Sequence, residues 1–352
     1  MKRMLLFPIA IFLLGAGGPS HSAGEATNGK NKDAYVIVTD TESNPEELFE
    51  RYPEISASWD ELARFNLLKG RGTTIEMPRE MLSSDHMLAR IAGLYGEAEV
   101  RRSFDKRYIP LLENLLLREG DVLRTWRHAG ARILFENGNY IVLRSHSKVR
   151  LLSLKPTGSS MRPNVRLELI EGNIWSRTVG KVKGSFVIET PTASTIIRGT
   201  DFRLKVEAGR ATRLEVLDGT VELEAGDETV LVPANRGILA RGGEDISELE
   251  PLPDAPRELI EPQPERVVRA SSFDQMFRWT SVSGAQSYRL QIARDEGFFD
   301  LAEERLTGAK TSVRITGLEP GTYFWRVTAL SPTGFEGPPA GDSYFVFVKK
   351  HP

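Results

Sequence analysis

Short runs of alternating apolar and charged residues, separated by frequent turn signals, fill residues 96–243 and constrain the fold more than any other feature. Breaks at Gly184, Pro191, Gly209 and Pro233 leave runs of four to eight residues. Alternation with a period of two buries one face of a strand and leaves the other in solvent, whereas a helix needs apolar residues three or four apart. The pattern therefore predicts an all-β domain at 92–243, either a sandwich or a β-roll.

Two dipeptides in this region are typical of tight turns. Asp218-Gly219 and Asn137-Gly138 each stand between two alternating apolar runs. Because these dipeptides readily adopt the positive φ angles of two-residue turns, we expect each to close a β-hairpin.

Three longer motifs carry a resemblance to a known family. Residues 189–193 read Glu-Thr-Pro-Thr-Ala, residues 196–202 read Ile-Ile-Arg-Gly-Thr-Asp-Phe, and residues 214–221 read Leu-Glu-Val-Leu-Asp-Gly-Thr-Val. Together with Gly-Glu-Ala-Glu-Val at 96–100, Glu-Gly-Asp at 119–121 and Gly-Ala-x-Ile at 130–133, this pattern resembles the FecR domain. Membrane-bound members of that family pass a signal from the outer envelope to a cytoplasmic sigma factor. The resemblance implies sensing or regulation through an envelope protein partner, whose identity the sequence does not give.

The second of these motifs supplies the candidate contact residues for a partner: Arg198, Gly199, Thr200, Asp201 and Phe202. The residues themselves are also explained as a fold-defining corner. In that interpretation Gly199 takes a positive φ and Phe202 returns to the core.

Residues 35–78 have the pattern of a small βααβ unit. A β-rich run at 35–38 precedes Asn44-Pro45, which is typical of a helix start, and Ser58 with Glu61 forms a capping box for a second helix. A strand-like run at 73–77 closes the unit. Its residues 40–41, 62–66 and 75–78 resemble a LysM module, although Thr39 stands where that family usually has glycine.

The LysM resemblance implies binding of N-acetylglucosamine-containing chains, and hence of peptidoglycan. The family binds glycan between the loop after the first strand and the loop before the last. Those loops contain the candidate glycan-binding residues Asp40, Thr41, Glu42, Leu67 and Leu68. The alternative is a small structural cap without a ligand.

The first residues have the layout of a signal peptide at 1–22. Lys2 and Arg3 precede an apolar run from Met4 to about Gly18, which is shorter than the ~20 residues of a transmembrane helix. The sequence predicts an exported protein, periplasmic or associated with the cell envelope, without a transmembrane span beyond the leader. The absence of cysteine excludes disulfides and thiol chemistry.

The C-terminal third contains a linker and a further β domain. Five prolines among acidic residues at 244–266 predict a semi-extended linker. Residues 267–349 resemble a fibronectin type III-like β-sandwich, since Leu-x-Pro-Gly at 318–321 leads to Tyr323 as in a tyrosine corner. The predicted fold class is therefore mainly β and multidomain.

The sequence patterns that would indicate nucleic-acid binding, a metal centre or catalysis are weak. The formal net charge of −2 does not favour nucleic acid, and the histidines lack the spacing of a metal centre. Ser145 and Lys148 have the Ser-x-x-Lys spacing of penicillin-recognising enzymes, but they join two strand-like runs instead of starting a helix. We predict no catalytic residue, cofactor or metal. The preferred hypothesis is a non-enzymatic envelope protein; the alternatives are a carboxylate-dependent wall hydrolase and a surface adhesin without peptidoglycan affinity.

Overall fold

A computed structural model describes the greater part of the chain from Tyr35 onwards. The described residues are 35–38, 45–58, 61–62, 74–83, 88–136, 138–155, 165–176, 186–197, 199–207, 211–242, 245–263, 265–341 and 343–349. All of them belong to one compact unit, Asp33–Pro352. The predicted signal peptide at 1–22 lies outside them.

The N-terminal segment contains two paired strands and one described α-helix. Strand β1 (Tyr35–Val38) pairs antiparallel with β2 (Thr74–Met77), helix α1 spans Pro45–Arg51, and a 3-10 turn spans Arg79–Met81. The Ser58 backbone NH donates to Glu61 Oε2 at 2.8 Å, as in the predicted capping box. Only Glu61 and Leu62 of the predicted second helix are described, so a two-helix LysM-like unit is not shown.

This segment packs on the β domain that follows it. Arg102 Nη2 donates to Tyr52 Oη at 3.0 Å, and Arg118 Nε lies 2.6 Å from Glu54 Oε1. The core around Tyr52 also includes Leu88 and Leu116.

The central domain consists of short strands, as the alternation predicts. Their bounds are β3 Ala89–Tyr95, β4 Ala98–Arg101, β5 Tyr108–Pro110, β6 Leu116–Leu117, β7 Val122–Thr125, β8 Gly130–Phe135, β9 Tyr140–Leu143, β10 Lys148–Leu154, β11 Val165–Ser176, β12 Phe186–Glu189, β13 Ser194–Ile197, β14 Asp201–Val206, β15 Thr212–Asp218, β16 Thr220–Ala225, β17 Glu228–Pro233, β18 Arg236–Arg241, β19 Asp245–Ile246 and β20 Glu250–Pro251.

These strands form two sheets that share β11. The first sheet contains β3, β6, β8, β9, β14, β15 and β18–β20, and the second contains β4, β5, β7, β10, β12, β13, β16 and β17. Up to Glu171, β11 pairs with β10, and from Gly172 onwards it pairs with β14. Gly172 has φ +91°, which lets the strand bend from one sheet into the other. The apolar residues of both sheets meet in one core.

One of the two predicted hairpins is correct and the other is wrong. Strands β8 and β9 pair around Gly138, whose φ is +86°, as expected. Strands β15 and β16 do not pair with each other, because β15 lies in the first sheet and β16 in the second. Gly219, with φ +80°, instead forms an arch that carries the chain across the core. An arch and a hairpin need the same turn residues, so the dipeptide alone does not distinguish them.

The C-terminal domain is a β-sandwich with an aromatic core. Strands β21 Leu259–Glu261, β23 Asp274–Trp279 and β26 Ser312–Thr316 form one sheet; β22 Arg266–Ala270, β24 Ser287–Ala293, β25 Leu301–Leu306, β27 Gly321–Leu330 and β28 Ser343–Lys349 form the other. Trp325 packs edge-on against Phe277 at 5.1 Å between ring centroids. Tyr323 Oη donates to the Glu319 carbonyl at 2.8 Å, which confirms the predicted tyrosine corner.

The described residues of the acidic segment 244–266 form only short strands, and one of their side chains is buried between the two β domains. β19 and β20 pair with β18, whereas β21 pairs with β23. Leu252 packs with Leu239 of the central domain and Phe335 of the C-terminal sandwich. The segment therefore contributes to the contact between the domains that it connects.

Candidate functional site

A cavity of about 650 Å³, lined by both charged and apolar side chains, lies between the central domain and the C-terminal sandwich. The central domain contributes the outward-facing side chains of β11, β14 and β15, including Trp175, Arg203 and Glu215. The sandwich contributes those of β24, β25 and β27, including Arg289 and Arg326. We call this cavity the inter-domain cleft.

Strand alternation places these side chains in the cleft. On β14, Phe202 and Leu204 face the core, so Arg203 between them faces outwards. On β15, Leu214 and Val216 face the core, so Glu215 between them also faces outwards. The outward faces of these strands were expected to be solvated. That expectation is wrong at Glu215, which is only 4% exposed because the C-terminal sandwich covers it.

A charged network joins the two domains at the base of the cleft. Arg203 Nη1 lies 2.9 Å from Glu215 Oε2 and donates to the Glu336 carbonyl at 2.7 Å, while Nη2 donates to the Gly337 carbonyl at 2.9 Å. Glu215 Oε1 accepts the Glu336 backbone NH at 2.7 Å. One ion pair of the central domain therefore satisfies three backbone groups of the sandwich.

The Glu336 side chain extends this network within the sandwich. Its Oε2 lies 3.0 Å from Arg289 Nε, and its Oε1 accepts from Thr328 Oγ1. Burial opposes the ionisation of Glu336, but Arg289 and Arg203 outweigh it and lower the pKa of this carboxyl from 4.5 to about 2. Because the folded pKa is lowered, this carboxylate contributes stability at neutral pH that is lost as the pH falls from about 4.5 through about 2.

An aromatic side chain closes one end of the contact. Phe335 is 1% exposed and lies directly over Gly237, where a Cβ atom would come within 2.4 Å of Phe335 Cδ1. The Arg213 guanidinium lies 4.4 Å from the centre of the Phe335 ring. The Phe335 ring therefore occupies the space that a side chain at position 237 would need.

A second phenylalanine makes a similar contact elsewhere. Phe299 packs edge-on against Tyr95 at 5.1 Å, and a Cβ on Gly93 would lie 3.0 Å from the Phe299 ring. Burial raises the pKa of Tyr95, against the opposing effect of Arg144. Gly93 and Gly237 of the central domain thus each lie against an aromatic ring of the sandwich.

Trp175 connects the family-signature turn to the cleft. Its Nε1 donates to Asp201 Oδ1 at 3.0 Å. Arg144 of the central domain and Arg326 of the sandwich lie 5.0 Å and 4.8 Å from its ring centre. Cation–π attraction from both domains therefore converges on one indole that Asp201 orients.

The predicted signature turn forms a second arch between the two sheets. Gly199 has φ +76°, and Phe202 is 1% exposed in the core, as the corner interpretation predicts. Thr200 is buried, and a Cβ on Gly219 would lie 2.7 Å from its Cγ2, so the arch at 199–200 and the arch at Gly219 pack side by side. Asp201 is the member of this turn whose side chain contacts a residue of the cleft. Arg198 lies outside the described residues.

The motif at 189–193 has a structural role in the same region. Thr190 Oγ1 and Thr192 Oγ1 each lie 2.6 Å from Thr212 Oγ1 of β15, and Thr192 Oγ1 donates to the Ala240 carbonyl. These hydroxyls tie the turn between β12 and β13, in the second sheet, to the first sheet.

The remaining candidate residues lie outside the described residues or at a turn between two strands. Asp40, Thr41, Glu42, Leu67 and Leu68 lie outside the described residues. Ser145 lies in the turn after β9 and Lys148 is the first residue of β10, so the two residues join two strands, as predicted. Ser147 between them is buried and donates to the Asn173 carbonyl at 3.1 Å. The described part of the chain contains no cluster of three His, Cys, Asp or Glu residues that could hold a metal ion. It also contains no helix long and apolar enough to cross a membrane.

Sequence reasoning missed the residues of the cleft, because it treated outward-facing charges on strands as solvated. One signal was present. The outward positions of β14, β15, β24 and β27 include four arginines, Arg203, Arg213, Arg289 and Arg326. Arginine suits buried ion pairs better than lysine because its planar group donates several directed hydrogen bonds.

The link between the signature turn and the cleft gives a testable prediction. Replacing Asp201 with alanine removes the acceptor of the Trp175 indole, so we expect a loss of stability of about 1.5–3 kcal/mol, the range for a hydrogen bond to a charged group. We also expect a changed tryptophan emission spectrum. Asp218, which lies opposite Asp201 in β14–β15 and is exposed, provides the control. Equal effects of D201A and D218A would show that the bond to Trp175 contributes nothing specific.

Comparison with known proteins supports the assignment of the central domain. A family model described as FecR protein matches residues 121–222. No curated protein matches the chain. The central domain is thus FecR-like over that range, and the C-terminal domain is a fibronectin type III-like sandwich by its own strand order and tyrosine corner.

Similar solved structures include two of a "putative anti-sigma factor" from Parabacteroides distasonis. They are 16% and 15% identical, cover 37% and 42% of this chain and 59% and 77% of their own, and have TM-scores of 0.31 and 0.32. An Fn3-like protein from Clostridium thermocellum is 21% identical, with 28% of this chain and 98% of that one covered and a TM-score of 0.23. The chain thus spans 59% of the first of these relatives.

Proposed function

We propose that this chain is a non-enzymatic protein of the cell envelope that senses or regulates through contact with an envelope protein partner. The observation that carries the proposal is the match of the FecR family model to residues 121–222. That range contains Asp201 and Trp175, which lie on the path from the signature turn to the cleft. A partner that contacts the turn would act on the contact between the two β domains, and a partner on the sandwich would act on the turn.

The rigid connection between the domains supports a role in transmission. Arg203 satisfies two carbonyls of the sandwich, and Glu215 satisfies one backbone NH. These groups have fixed geometry, so a small displacement of the sandwich breaks several hydrogen bonds together. We propose that this contact has a closed and an open state, as a switch requires.

The experiment that tests the regulatory role compares transcripts in the host cell. We expect deletion of the gene to change a set of envelope-related transcripts, and the D201A chain to reproduce that change, while the D218A chain behaves as wild type. If deletion leaves the transcripts unchanged, the regulatory role is wrong. If D201A is silent while deletion is not, the signature turn is not the point of transmission.

We further propose that a LysM-like module at 35–78 holds the protein on peptidoglycan. The support is the sequence resemblance, with Asp40, Thr41, Glu42, Leu67 and Leu68 as the glycan-binding rim. The full chain is expected to sediment with purified sacculi, and the double variant Asp40→Ala, Leu67→Ser to stay in the supernatant. Asp227→Ala, an exposed carboxylate beyond β16, is the matched control.

The alternatives make different predictions in the same assay. A surface adhesin without peptidoglycan affinity leaves the wild type in the supernatant, and that result would end the tethering proposal. Release of soluble muropeptides from the sacculi would instead support the wall hydrolase. If the tethering proposal is correct, the protein sediments with the sacculi and releases no soluble muropeptides.

A further inference from the structure

The two walls of the inter-domain cleft carry opposite charge. The wall formed by the central domain holds five cationic side chains and two carboxylates, namely Arg127, Arg144, Arg203, Lys205, Arg213, Glu207 and Glu215. The wall formed by the sandwich holds two cations and three carboxylates, namely Arg289, Arg326, Glu303, Glu304 and Glu336. The cleft therefore has an excess of positive charge on one side only.

The carboxylates of the cleft are already occupied by neighbouring cations. Glu215 pairs with Arg203, and Glu207 pairs with Arg213 at 2.8 Å. On the opposite wall, Glu336 and Glu304 both pair with Arg289, and Glu303 lies 3.3 Å from Arg305. These carboxylates consequently do not neutralise the other arginines of the cleft.

Three cationic groups of the central wall remain available to an anion. Arg144 contacts the Trp175 ring and donates to the Phe299 carbonyl at 3.4 Å, but it has no carboxylate partner among the described residues. Arg127 lines the cleft, is exposed, and has no ion pair in the described part of the chain. Arg213 is 7% exposed; its Nε donates to Glu207, but its Nη1 has no hydrogen-bond partner among the described residues. Guanidinium groups bind carboxylates and phosphates through paired hydrogen bonds.

The size and the remaining lining favour an organic ligand over a bare ion. A volume of about 650 Å³ lies within the range of small-molecule sites. Trp175, Leu301, Leu306 and Leu330 supply apolar surface beside the arginines. We propose that the inter-domain cleft binds a small organic anion, whose carboxylate or phosphate groups face Arg144, Arg127 and Arg213 of the central wall. This goes beyond the proposed envelope role and does not depend on it, since it needs neither peptidoglycan nor a protein partner.

Isothermal titration calorimetry of the full chain at low salt tests the site. The probes are citrate for carboxylates, glucose 6-phosphate for phosphates, and glucose as the uncharged control. We expect saturable binding of at least one anion and none of glucose. Binding of citrate alone identifies a carboxylate ligand, binding of glucose 6-phosphate alone identifies a phosphate ligand, and either result supports the site.

Substitutions place the binding in the cleft. Arg144→Gln and Arg127→Gln are each expected to weaken the anion about tenfold, the effect of losing one charge-assisted hydrogen bond. Neither arginine satisfies a buried carboxylate, so both variants are expected to fold. Arg314→Gln is the control. The Arg314 side chain is 66% exposed and pairs with Asp274, and both residues lie on the sheet of the sandwich that does not line the cleft. The proposal is overturned if neither anion saturates, if glucose binds equally, or if R144Q and R127Q bind as tightly as R314Q.

Discussion

Replacing Arg203 with methionine is expected to lower the free energy of unfolding of the two β domains by about 4 kcal/mol, the cost of leaving a buried charge without its partner. Glu215 is 4% exposed and would lose the guanidinium that lies 2.9 Å from it. The carbonyls of Glu336 and Gly337 would also lose their donors. Urea denaturation followed by tryptophan fluorescence measures the loss.

The central domain provides a closely matched control for this variant. Arg150 and Glu168 lie directly opposite each other in β10–β11, as Arg203 and Glu215 do in β14–β15, and their ion pair has the same length of 2.9 Å. The side chains of Arg150 and Glu168 are 42% and 32% exposed. Arg150→Met is therefore expected to cost less than about 1 kcal/mol. Similar losses for both variants would contradict a special role for the pair in the cleft.

Truncating Phe335 to alanine is the second change with a large expected effect. The ring is fully buried against Gly237, Leu239 and Leu252, so its loss leaves a cavity between the domains and is expected to cost about 3–5 kcal/mol. It also removes the ring that contacts the Arg213 guanidinium. The stability of the full chain in urea is the measurement.

Two further variants test whether the loss of stability in F335A comes from the contact between the two domains. Gly237→Ala introduces a Cβ within 2.4 Å of Phe335 Cδ1 and should destabilise the same contact by about 1–3 kcal/mol, because the ring must move. Phe104→Ala removes a ring that is 43% exposed and should cost less. If F335A is no more destabilising than F104A, Phe335 does not hold the sandwich to the central domain.

The local pattern of the sequence predicted the strands but not how they associate. Alternation at 201–206 and 212–218 correctly indicates strands with one buried face, because burial of apolar side chains on a pleated strand is a local property. Whether Asp218-Gly219 closes a hairpin or an arch depends on which sheet receives the next strand. That choice is made by tertiary packing, which one segment does not encode.

The site could be predicted only at the residues where backbone geometry demands a particular side chain. Gly199 and Phe202 could be predicted, because a positive φ favours glycine and a return of the chain to the core favours a large apolar side chain. Arg203 and Glu215 were not, since an alternating Arg or Glu has the same pattern whether water or another domain covers it. Asp201 was named, but its contact with Trp175 joins residues 26 positions apart and has no local signal.

Differential scanning calorimetry of the full chain tests most directly the central claim, that the FecR-like central domain and the fibronectin-like sandwich act as one unit joined at the cleft. The account predicts a single cooperative transition for both domains in the wild type, which separates into two in R203M and F335A. Trp325 in the sandwich core and Trp175 beside the cleft allow fluorescence to assign each transition. Two separate transitions already in the wild type, at temperatures that R203M and F335A leave unchanged, would contradict it.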